Sequence, residues 1–227
     1  MDVAVIFIYD EDASKEHLSI RGELHKYLIK VRRHEVGDRI DFRKKSAPEL
    51  IYHYEVESID PRHVNLRLVG SEESVVKHPK KLHIGWCVID PRSVEKVLAT
   101  LNEIGVERIN FIYCERSQKS FKPDIARYER ILEASNQQCG RSHMMEFAIY
   151  KDLNSYLKEY PDVKVFDFCE KELESAERLT SVLIGCEGGF SQSEKELLRS
   201  KEVFRLKAPL VLRSESAVVG VASRVLL

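Results

Sequence analysis

The sequence lacks the features that mark membrane proteins, secreted proteins and common nucleotide-binding proteins. No apolar run reaches the roughly 20 residues that a membrane-spanning helix needs. The apolar N-terminus, residues 1–9, contains Asp2 and no basic flank, so it predicts a strand at 3–9 rather than a signal peptide. Neither G-x-G-x-x-G nor glycine followed by Lys and Ser or Thr occurs, so the two common phosphate-binding loops are not expected.

Cysteine and histidine are few and widely spaced. The five cysteines are odd in number and form no close sequence pair, which favours reduced thiols in a cytoplasmic protein over a disulfide framework or a zinc site. The eight histidines show no metal-ligand spacing, and no metal is expected. Cys139 and Cys186 are not expected to act as nucleophiles.

Positive charge is concentrated near the N-terminus of a nearly neutral chain. The 227 residues carry a formal net charge of -1, and 43% are hydrophobic, enough for one large or two small packed domains. Between Lys15 and Lys45, ten Lys or Arg residues stand against five Asp or Glu residues. This excess favours a surface that binds a polyanion. A solvated helix face would explain the same charges equally well.

The N-terminal part predicts a small β-rich unit with one short helix. Strands are expected at residues 39–43, 50–58 and 64–69. The polar segment 70–81 is predicted to be a linker. Apolar residues at 24, 27, 28 and 31 repeat at helical spacing. The other face of that helix carries Lys26, Lys30, Arg32 and Arg33.

From residue 82 onward, predicted strands alternate with predicted helices. Strands are expected at 82–89, 108–114, 163–168, 182–185 and 203–206, and helices around 94–101, at 123–138 and at 215–227. This alternation is typical of an α/β fold in which helices cover both faces of a mostly parallel sheet.

A glycine-rich loop follows the predicted strand 182–185. Its two adjacent glycines, within residues 184–189, would let the backbone approach a ligand closely. Ser191, with Glu194 three residues later, is a capping box that begins a helix. A strand, a glycine-rich turn and a helix start predict a ligand site at the carboxyl end of a sheet strand. A purely structural turn is the alternative.

Two arginines lie at or just beyond the ends of predicted core elements. Arg116 follows the strand at 108–114, and Arg141 follows Gly140 at the end of the helix at 123–138. Arginine binds phosphate through paired hydrogen bonds, so the two positions favour an anionic substrate. Each arginine alone could equally be a surface charge.

Six short segments, in order along the chain, together resemble the signatures of one family. The family is the RsmE-type ribosomal RNA methyltransferases of the SPOUT superfamily, which methylate N3 of a uridine in 16S rRNA. Cys186 and Ser216 replace a proline and a threonine of the family pattern. The segments are His25-Lys26-Tyr27-Leu28-Ile29-Lys30-Val31-Arg32-Arg33 with Gly37-Asp38, Asn102-Glu103-Ile104-Gly105-Val106, Glu115-Arg116-Ser117, Gln138-Cys139-Gly140-Arg141, Gly185-Cys186-Glu187-Gly188-Gly189-Phe190 and Leu212-Arg213-Ser214-Glu215-Ser216-Ala217.

The resemblance implies a two-domain α/β protein. Residues 1–72 would form a PUA/OB-like β-barrel that binds RNA. Residues 73–227 would form a SPOUT domain with a deep trefoil knot, a rare exception to unknotted topology. It further implies S-adenosyl-L-methionine as cofactor, 16S rRNA in the small ribosomal subunit as substrate, and a homodimer with no membrane and no metal.

The resemblance also implies candidate site residues. Arg213, Arg116 or Arg141 would stabilise negative charge on the uracil carbonyls. Glu215 and Glu187 are carboxylates near the expected site, but Glu215 could equally complement a helix dipole, and the base stays unassigned. The residues expected to hold the cofactor are Ile184, Gly185, Glu187, Gly188, Gly189, Leu206, Leu212, Arg213, Ser216 and Ala217, and those expected to bind RNA are Lys26, Lys30, Arg32 and Arg33.

Three alternatives to this function stay open from the sequence. A SPOUT enzyme that acts on tRNA or large-subunit rRNA would have much the same catalytic half. A non-catalytic RNA-binding assembly factor could keep the fold without the reaction. A small-molecule α/β enzyme would leave the basic N-terminal segment without a purpose.

Overall fold

The structure, a computed structural model, describes residues 7–173, 176, 178–207 and 209–227. The chain divides into two compact units. The first comprises the described part of Met1–Lys77 together with Asn136–His143, and the second the described part of His78–Ser135 together with Met144–Leu227. Residues 3–6 of the predicted first strand lie outside the described residues. No helix in the described ranges is long and apolar enough to cross a membrane.

The first unit contains a five-stranded sheet that curls into a half-barrel. In space the strands follow the order β1-β3-β4-β5-β2, with β1 parallel to β3 and the other pairs antiparallel. Tyr52, Tyr54 and Val56 alternate along the fourth strand and are buried, because alternate residues point to one face. The strands are β1 (Phe7–Tyr9), β2 (His17–Arg21), β3 (Arg39–Lys44), β4 (Ala47–Ile59) and β5 (His63–Glu73).

A short helix and a π-helical turn follow β2. The helix α1 (Gly22–Lys26) continues directly into the turn Tyr27–Val31. The predicted helix is therefore confirmed, although its second half is wound more widely than an α-helix. His25 is buried, whereas Lys26 and Lys30 are exposed. Of the predicted apolar stripe, Leu28 is buried, but Tyr27 is 39% and Val31 66% exposed, so the expected separation into an apolar and a basic face is wrong for the second half of the helix.

The predicted linker at residues 70–81 begins too early. Residues 70–73 belong to β5 and pair with residues 50–53 of β4. Backbone hydrogen bonds continue the ladder there, while the side chains of Glu72 and Glu73 stay exposed to solvent. The strand therefore continues through polar residues, because the hydrogen bonds of an antiparallel ladder join backbone N–H and C=O groups and do not require apolar side chains.

The second unit is built on a six-stranded sheet in which every described strand pair is parallel. The spatial order is β11-β9-β10-β6-β7-β8. This confirms the parallel sheet that the strand–helix alternation predicts. The strands are β6 (His83–Cys87), β7 (Arg108–Ile112), β8 (Glu146–Tyr150), β9 (Lys164–Phe166), β10 (Ser181–Ile184) and β11 (Val203–Phe204).

Five further helices follow strands along the chain. The side chain of Asp90 accepts a hydrogen bond from the Arg92 amide at 2.9 Å and so begins the first of them, with Pro91 at its first position. Gly105, at φ 105°, ends that helix in the left-handed region. The helices are α2 (Pro91–Ile104), α3 (Ile125–Cys139), α4 (Leu153–Glu159), α5 (Gln192–Leu198) and α6 (Ser214–Leu226).

The sequence did not predict β2, β8 or α4. β8 lies at one edge of the six-stranded sheet, and its Ile149 is 50% exposed. An edge strand of five residues with little buried apolar surface gives a weak pattern. α4 has only seven residues, and its helical signal depends on the cap that Asp152 gives to the Ser155 amide at 2.7 Å.

The expectation that all five cysteines are reduced is wrong for one pair. The structure joins Cys87 and Cys114 in a disulfide, with their Cα atoms 5.8 Å apart. Cys87 ends β6, and Cys114 lies two residues beyond the end of the neighbouring strand β7. Adjacent parallel strands therefore bring the two residues within disulfide reach, although 27 positions separate them in the sequence. Cys139, Cys169 and Cys186 keep reduced thiols.

Candidate active site

A cavity of about 460 Å³ opens at the carboxyl ends of β9 and β10. This is the position in an open parallel sheet where ligands commonly bind. Its walls come from three segments: the ends of β9 and β10 with the residues that follow them, residues 205–206 and 209–213, and the first turn of α6. The lining residues are Phe166, Asp167, Phe168, Ile184, Gly185, Cys186, Glu187, Gly189, Arg205, Leu206, Pro209, Leu210, Val211, Leu212, Arg213, Ser214 and Ala217.

Eight of the ten predicted cofactor residues line this cavity. They come from two segments about 20 residues apart, which the parallel sheet brings together. Gly188 and Ser216 are not among the described lining residues, and Ser216 is exposed at the start of α6. The eight are Ile184, Gly185, Glu187, Gly189, Leu206, Leu212, Arg213 and Ala217.

The glycine loop, residues 185–189, is shaped by backbone geometry that favours glycine. Gly189 has φ 65°, in the left-handed region, and its amide donates to the Cys186 carbonyl at 2.9 Å. The predicted capping box is confirmed immediately after the loop. The Ser191 side chain accepts from the Glu194 amide at 3.1 Å, and the Glu194 carboxylate accepts from the Ser191 amide at 2.9 Å.

Glu194 also connects the glycine loop to the segment after β7. It is 3% exposed, and its second carboxylate oxygen accepts from the Glu115 amide at 2.8 Å. Its two oxygens therefore satisfy two backbone amides from different segments. The side chain of Ser193 donates to Glu115 at 2.7 Å, and this bond lowers the pKa of the Glu115 carboxyl. The loop before Arg116 is thus fixed to the start of α5.

Arg116 lies directly against the glycine loop. Its Nη1 atom donates to the Gly188 carbonyl oxygen at 2.6 Å. A Cβ atom added to Gly188 would lie 3.4 Å from two side-chain atoms of Arg116. The sequence analysis singled out Arg116 as a candidate for charge stabilisation and did not predict this contact with the loop. Arg116 is not among the described residues that line the cavity.

Arg213 is the N-cap residue of α6 and lines the cavity. Its carbonyl accepts from the Ala217 amide at 2.8 Å, which begins the helix. Its guanidinium makes no hydrogen bond or ion pair to any residue that the structure describes. Glu215 lies in the first turn of α6 and does not belong to the cavity lining. An uncommitted cation therefore faces the space that a ligand would fill.

The remaining predicted site residues lie in the first unit. Arg141 belongs to Asn136–His143 and is 8% exposed, and its Nε atom donates to the His143 carbonyl at 3.0 Å. Lys26, Lys30, Arg32 and Arg33 are all exposed, on α1 and the π-helical turn or just beyond it. Lys26 pairs with Glu23 at 2.6 Å.

Several lining residues were missed by the sequence analysis. Asp167 follows β9, and Ser214 begins α6. Asp167 could have been found from its position at the end of a predicted strand, because ligands bind at the carboxyl ends of parallel strands and contact the polar side chains there. The signal for Ser214 was its position between Arg213 and Glu215 in a motif already singled out. Phe168, Leu210 and Val211 are exposed apolar residues of the lining and gave no periodic pattern.

Cys186 is the buried thiol of the glycine loop. It is 7% exposed, and burial raises its pKa above the ordinary value, because the thiolate loses hydration. A raised pKa favours the protonated thiol at neutral pH. This agrees with the expectation that Cys186 is not a nucleophile. No group of three potential metal ligands occurs among residues whose positions are described.

A family model described as an RNA methyltransferase domain matches residues 76–226 of this chain. The chain is also 38% identical over 221 residues to the ribosomal RNA small subunit methyltransferase E of Helicobacter pylori, covering 96% of this chain and 97% of that protein. The match extends through both units, so the relationship is not confined to the cavity.

Two solved structures share the fold. The ribosomal RNA small subunit methyltransferase E of Neisseria gonorrhoeae, bound to S-adenosyl methionine, has a TM-score of 0.73 at 14% identity, over 96% of this chain and 95% of that one. A Legionella pneumophila structure described as a methyltransferase with bound SAM has a TM-score of 0.73 at 22% identity, over 97% and 96%. With the sequence match, these findings show that the chain belongs to the ribosomal RNA small subunit methyltransferase E family of RNA methyltransferases.

Proposed function

We propose that this protein uses S-adenosylmethionine to methylate N3 of a specific uridine in the 16S rRNA of the small ribosomal subunit. The observation that carries the proposal is the cavity beside the glycine loop, with the uncommitted Arg213 on its wall. Family membership supports an RNA methyltransferase, and the H. pylori relative is named for the small-subunit RNA. The choice of uridine N3 depends on the family resemblance.

The cavity fits S-adenosylmethionine in size and chemistry. Its volume of about 460 Å³ lies within the usual range for small-molecule sites. Leu206, Leu212 and Ala217 provide an apolar wall that suits the adenine ring. Asp167 and Glu187 provide carboxylates for a cationic ligand. We propose that these residues, with the backbone of the glycine loop, hold the cofactor.

The remaining chemistry is assigned to protein side chains. When bound, S-adenosylmethionine supplies an electrophilic methyl group. We propose that Arg213 stabilises the negative charge that develops on the uracil carbonyls when the N3 proton leaves. Of the two carboxylates considered as base, Glu187 lines the cavity, so we assign that role to it. Glu215, in the first turn of α6, complements the helix dipole.

We further propose how the chain is organised for RNA. Residues 1–72 would act as a PUA/OB-like RNA-binding domain, and residues 73–227 as a knotted SPOUT domain that works as a cytoplasmic homodimer. Exposed cations on α1 and the turn after it support the RNA role of the first domain. Uridine N3 lies on the pairing edge, so the target base would have to be unpaired.

The test is a methylation assay with labelled S-adenosylmethionine. Purified protein is incubated with small subunits from cells that lack the enzyme, with naked 16S rRNA and with tRNA, and the products are digested to nucleosides. The proposal predicts label in N3-methyluridine from small-subunit RNA. Label in another nucleoside or RNA would retain the reaction class and reject the target. Absence of both label and cofactor binding would favour a non-catalytic assembly factor.

A further inference from the structure

Ser214 connects three segments beside the cavity through one buried hydroxyl. It is 6% exposed and stands between the N-cap residue Arg213 and Glu215. The Trp86 indole Nε1 donates to Ser214 Oγ at 2.8 Å, and Ser214 Oγ donates to the Gly185 carbonyl at 2.6 Å. Trp86 lies on β6, Gly185 begins the glycine loop, and Ser214 begins α6.

The direction of this chain of hydrogen bonds is fixed by chemistry. An indole N–H can only donate, and a carbonyl oxygen can only accept. The single hydroxyl proton of Ser214 must therefore point to the Gly185 carbonyl, while an oxygen lone pair receives the Trp86 proton. Trp86 is itself fully buried and stacks at 6.3 Å on Phe111 of β7. The hydroxyl is thus held by the rigid centre of the sheet.

We propose that Ser214 is a positioning residue for the cofactor site. It holds the Gly185 carbonyl in one orientation and fixes the start of α6, and hence Arg213, relative to the glycine loop. Gly185, Arg213 and Ser214 all line the cavity, so a shift of the Ser214 hydroxyl relative to Gly185 changes the shape of the site directly. The inference rests on the proposed function only in that this cavity binds S-adenosylmethionine.

The chain contains a matched control for a purely structural role. Ser135 is 3% exposed, accepts from Asn102 Nδ2 at 2.9 Å and lies in the same unit, on α3. It is not among the described residues that line the cavity. Replacing either serine by alanine leaves a buried donor without this acceptor, so both changes should lower the melting temperature.

The experiment compares Ser214→Ala, Ser214→Thr and Ser135→Ala in the full-length protein. Thermal melting measures stability, calorimetry measures the Kd for S-adenosylmethionine, and methylation assays separate KM from kcat. We expect Ser214→Ala to weaken cofactor binding about three- to tenfold, as loss of one neutral hydrogen bond would. Ser214→Thr keeps the hydroxyl and should restore much of the affinity. Ser135→Ala should lower stability and leave the Kd within about twofold.

A second variant keeps the test valid if Ser214→Ala folds poorly. Trp86→Phe removes the indole donor, so adding Ser214→Ala to it leaves no unsatisfied N–H at this position. The proposal predicts that Trp86→Phe alone retains most of the cofactor affinity, because Ser214 still donates to the Gly185 carbonyl, and that the double variant binds cofactor about three- to tenfold more weakly. If the wild-type protein binds cofactor and the Ser214→Ala variants bind it with the same Kd, the positioning role is overturned and the proposed function stands. Wild-type protein that binds no cofactor would overturn the proposed function and this role together.

Discussion

Arg116 and Gly188 are 72 positions apart in the sequence, yet the Arg116 guanidinium donates to the Gly188 carbonyl oxygen at 2.6 Å. A charged donor on a backbone carbonyl makes a stronger hydrogen bond than a neutral donor. The bond links the segment after β7 to the glycine loop after β10, and Glu194 links the same two segments through backbone amides. Arg116 is thereby engaged with the loop, which favours a loop-holding role over direct contact with uracil.

Replacement of Arg116 by alanine tests that distinction. We expect the Kd for S-adenosylmethionine to rise about tenfold. This is near the lower end of the effects measured when a charged hydrogen bond is removed, because Arg116 is exposed. Calorimetry on the variant and on Arg116→Lys, which keeps a charge without the planar fork, measures the effect. Normal cofactor affinity combined with a large loss of kcat would instead assign Arg116 to the charge-stabilising role that the sequence suggested.

Gly189→Ala should damage the site through backbone strain. Gly189 has φ 65°, where an L-residue costs about 1–2 kcal/mol. Gly22, at φ 66° in the first unit, is the matched control, because no atom lies within 4 Å of the methyl group that alanine would add there. Both alanine variants should lose similar unfolding free energy by denaturant titration, but only Gly189→Ala should weaken cofactor binding. Equal cofactor affinity in the two variants would argue against a ligand role for the loop.

RNA binding should depend on the exposed cations of the first unit. Lys30, Arg32 and Arg33 are exposed, whereas Lys26 already pairs with Glu23. Each phosphate contact contributes a slope of about -0.7 to log affinity against log salt for single-stranded RNA. Replacing Lys30, Arg32 and Arg33 by glutamine should therefore reduce the slope by about 2, and Lys26→Gln should change it less. If the slope is unchanged in the triple variant, RNA binds to a different surface of the protein.

The cysteines should divide into a bonded pair and three reduced thiols. Under denaturing, non-reducing conditions, alkylation should modify Cys139, Cys169 and Cys186, and reduction should release Cys87 and Cys114. A bridge across this loop contributes about 3.5 kcal/mol in the chain-entropy estimate, so reduction should lower the unfolding free energy. Mass spectrometry of the alkylated peptides gives the count. Five modified cysteines before reduction would show that the pair is reduced in solution.

Cys186 should react slowly at neutral pH in the folded protein. Burial raises its pKa, so its thiolate fraction at pH 7 is smaller than that of an ordinary cysteine and grows as pH rises through the raised pKa. Its alkylation rate should increase with pH and fall when S-adenosylmethionine is added, because it lines the cavity. Alkylation of Cys186 at pH 7 as fast as that of the partly exposed Cys139 and Cys169 would contradict this.

The sequence predicts much of the fold because its strands and helices carry clear periodicity. The parallel sheet follows from strand–helix alternation, and the glycine loop with its capping box at Ser191 and Glu194 was located correctly. Short elements were missed, since the five residues of β8 and the seven of α4 provide too few positions for a pattern. The extension of β5 to Glu73 depends on pairing with β4, which no local pattern contains.

The candidate site was predicted where residues are close in sequence or share a motif. Gly185 and Arg213 were singled out by their motifs, and the structure brings both to one cavity. The links between segments were not predictable, because Trp86 and Ser214 lie 128 positions apart and only the folded sheet joins them. The pairing of Cys87 with Cys114 escaped prediction for the same reason.

The most direct test of the account is nucleoside analysis of 16S rRNA from cells in which the gene is deleted and then restored. Wild-type protein should restore N3-methyluridine at a single position. Arg213→Ala should accumulate and bind S-adenosylmethionine yet leave that position largely unmodified, because the uncommitted cation at the cavity would be gone. Full methylation by Arg213→Ala would contradict its charge-stabilising role, and wild-type protein that restores no N3-methyluridine would contradict the proposed function.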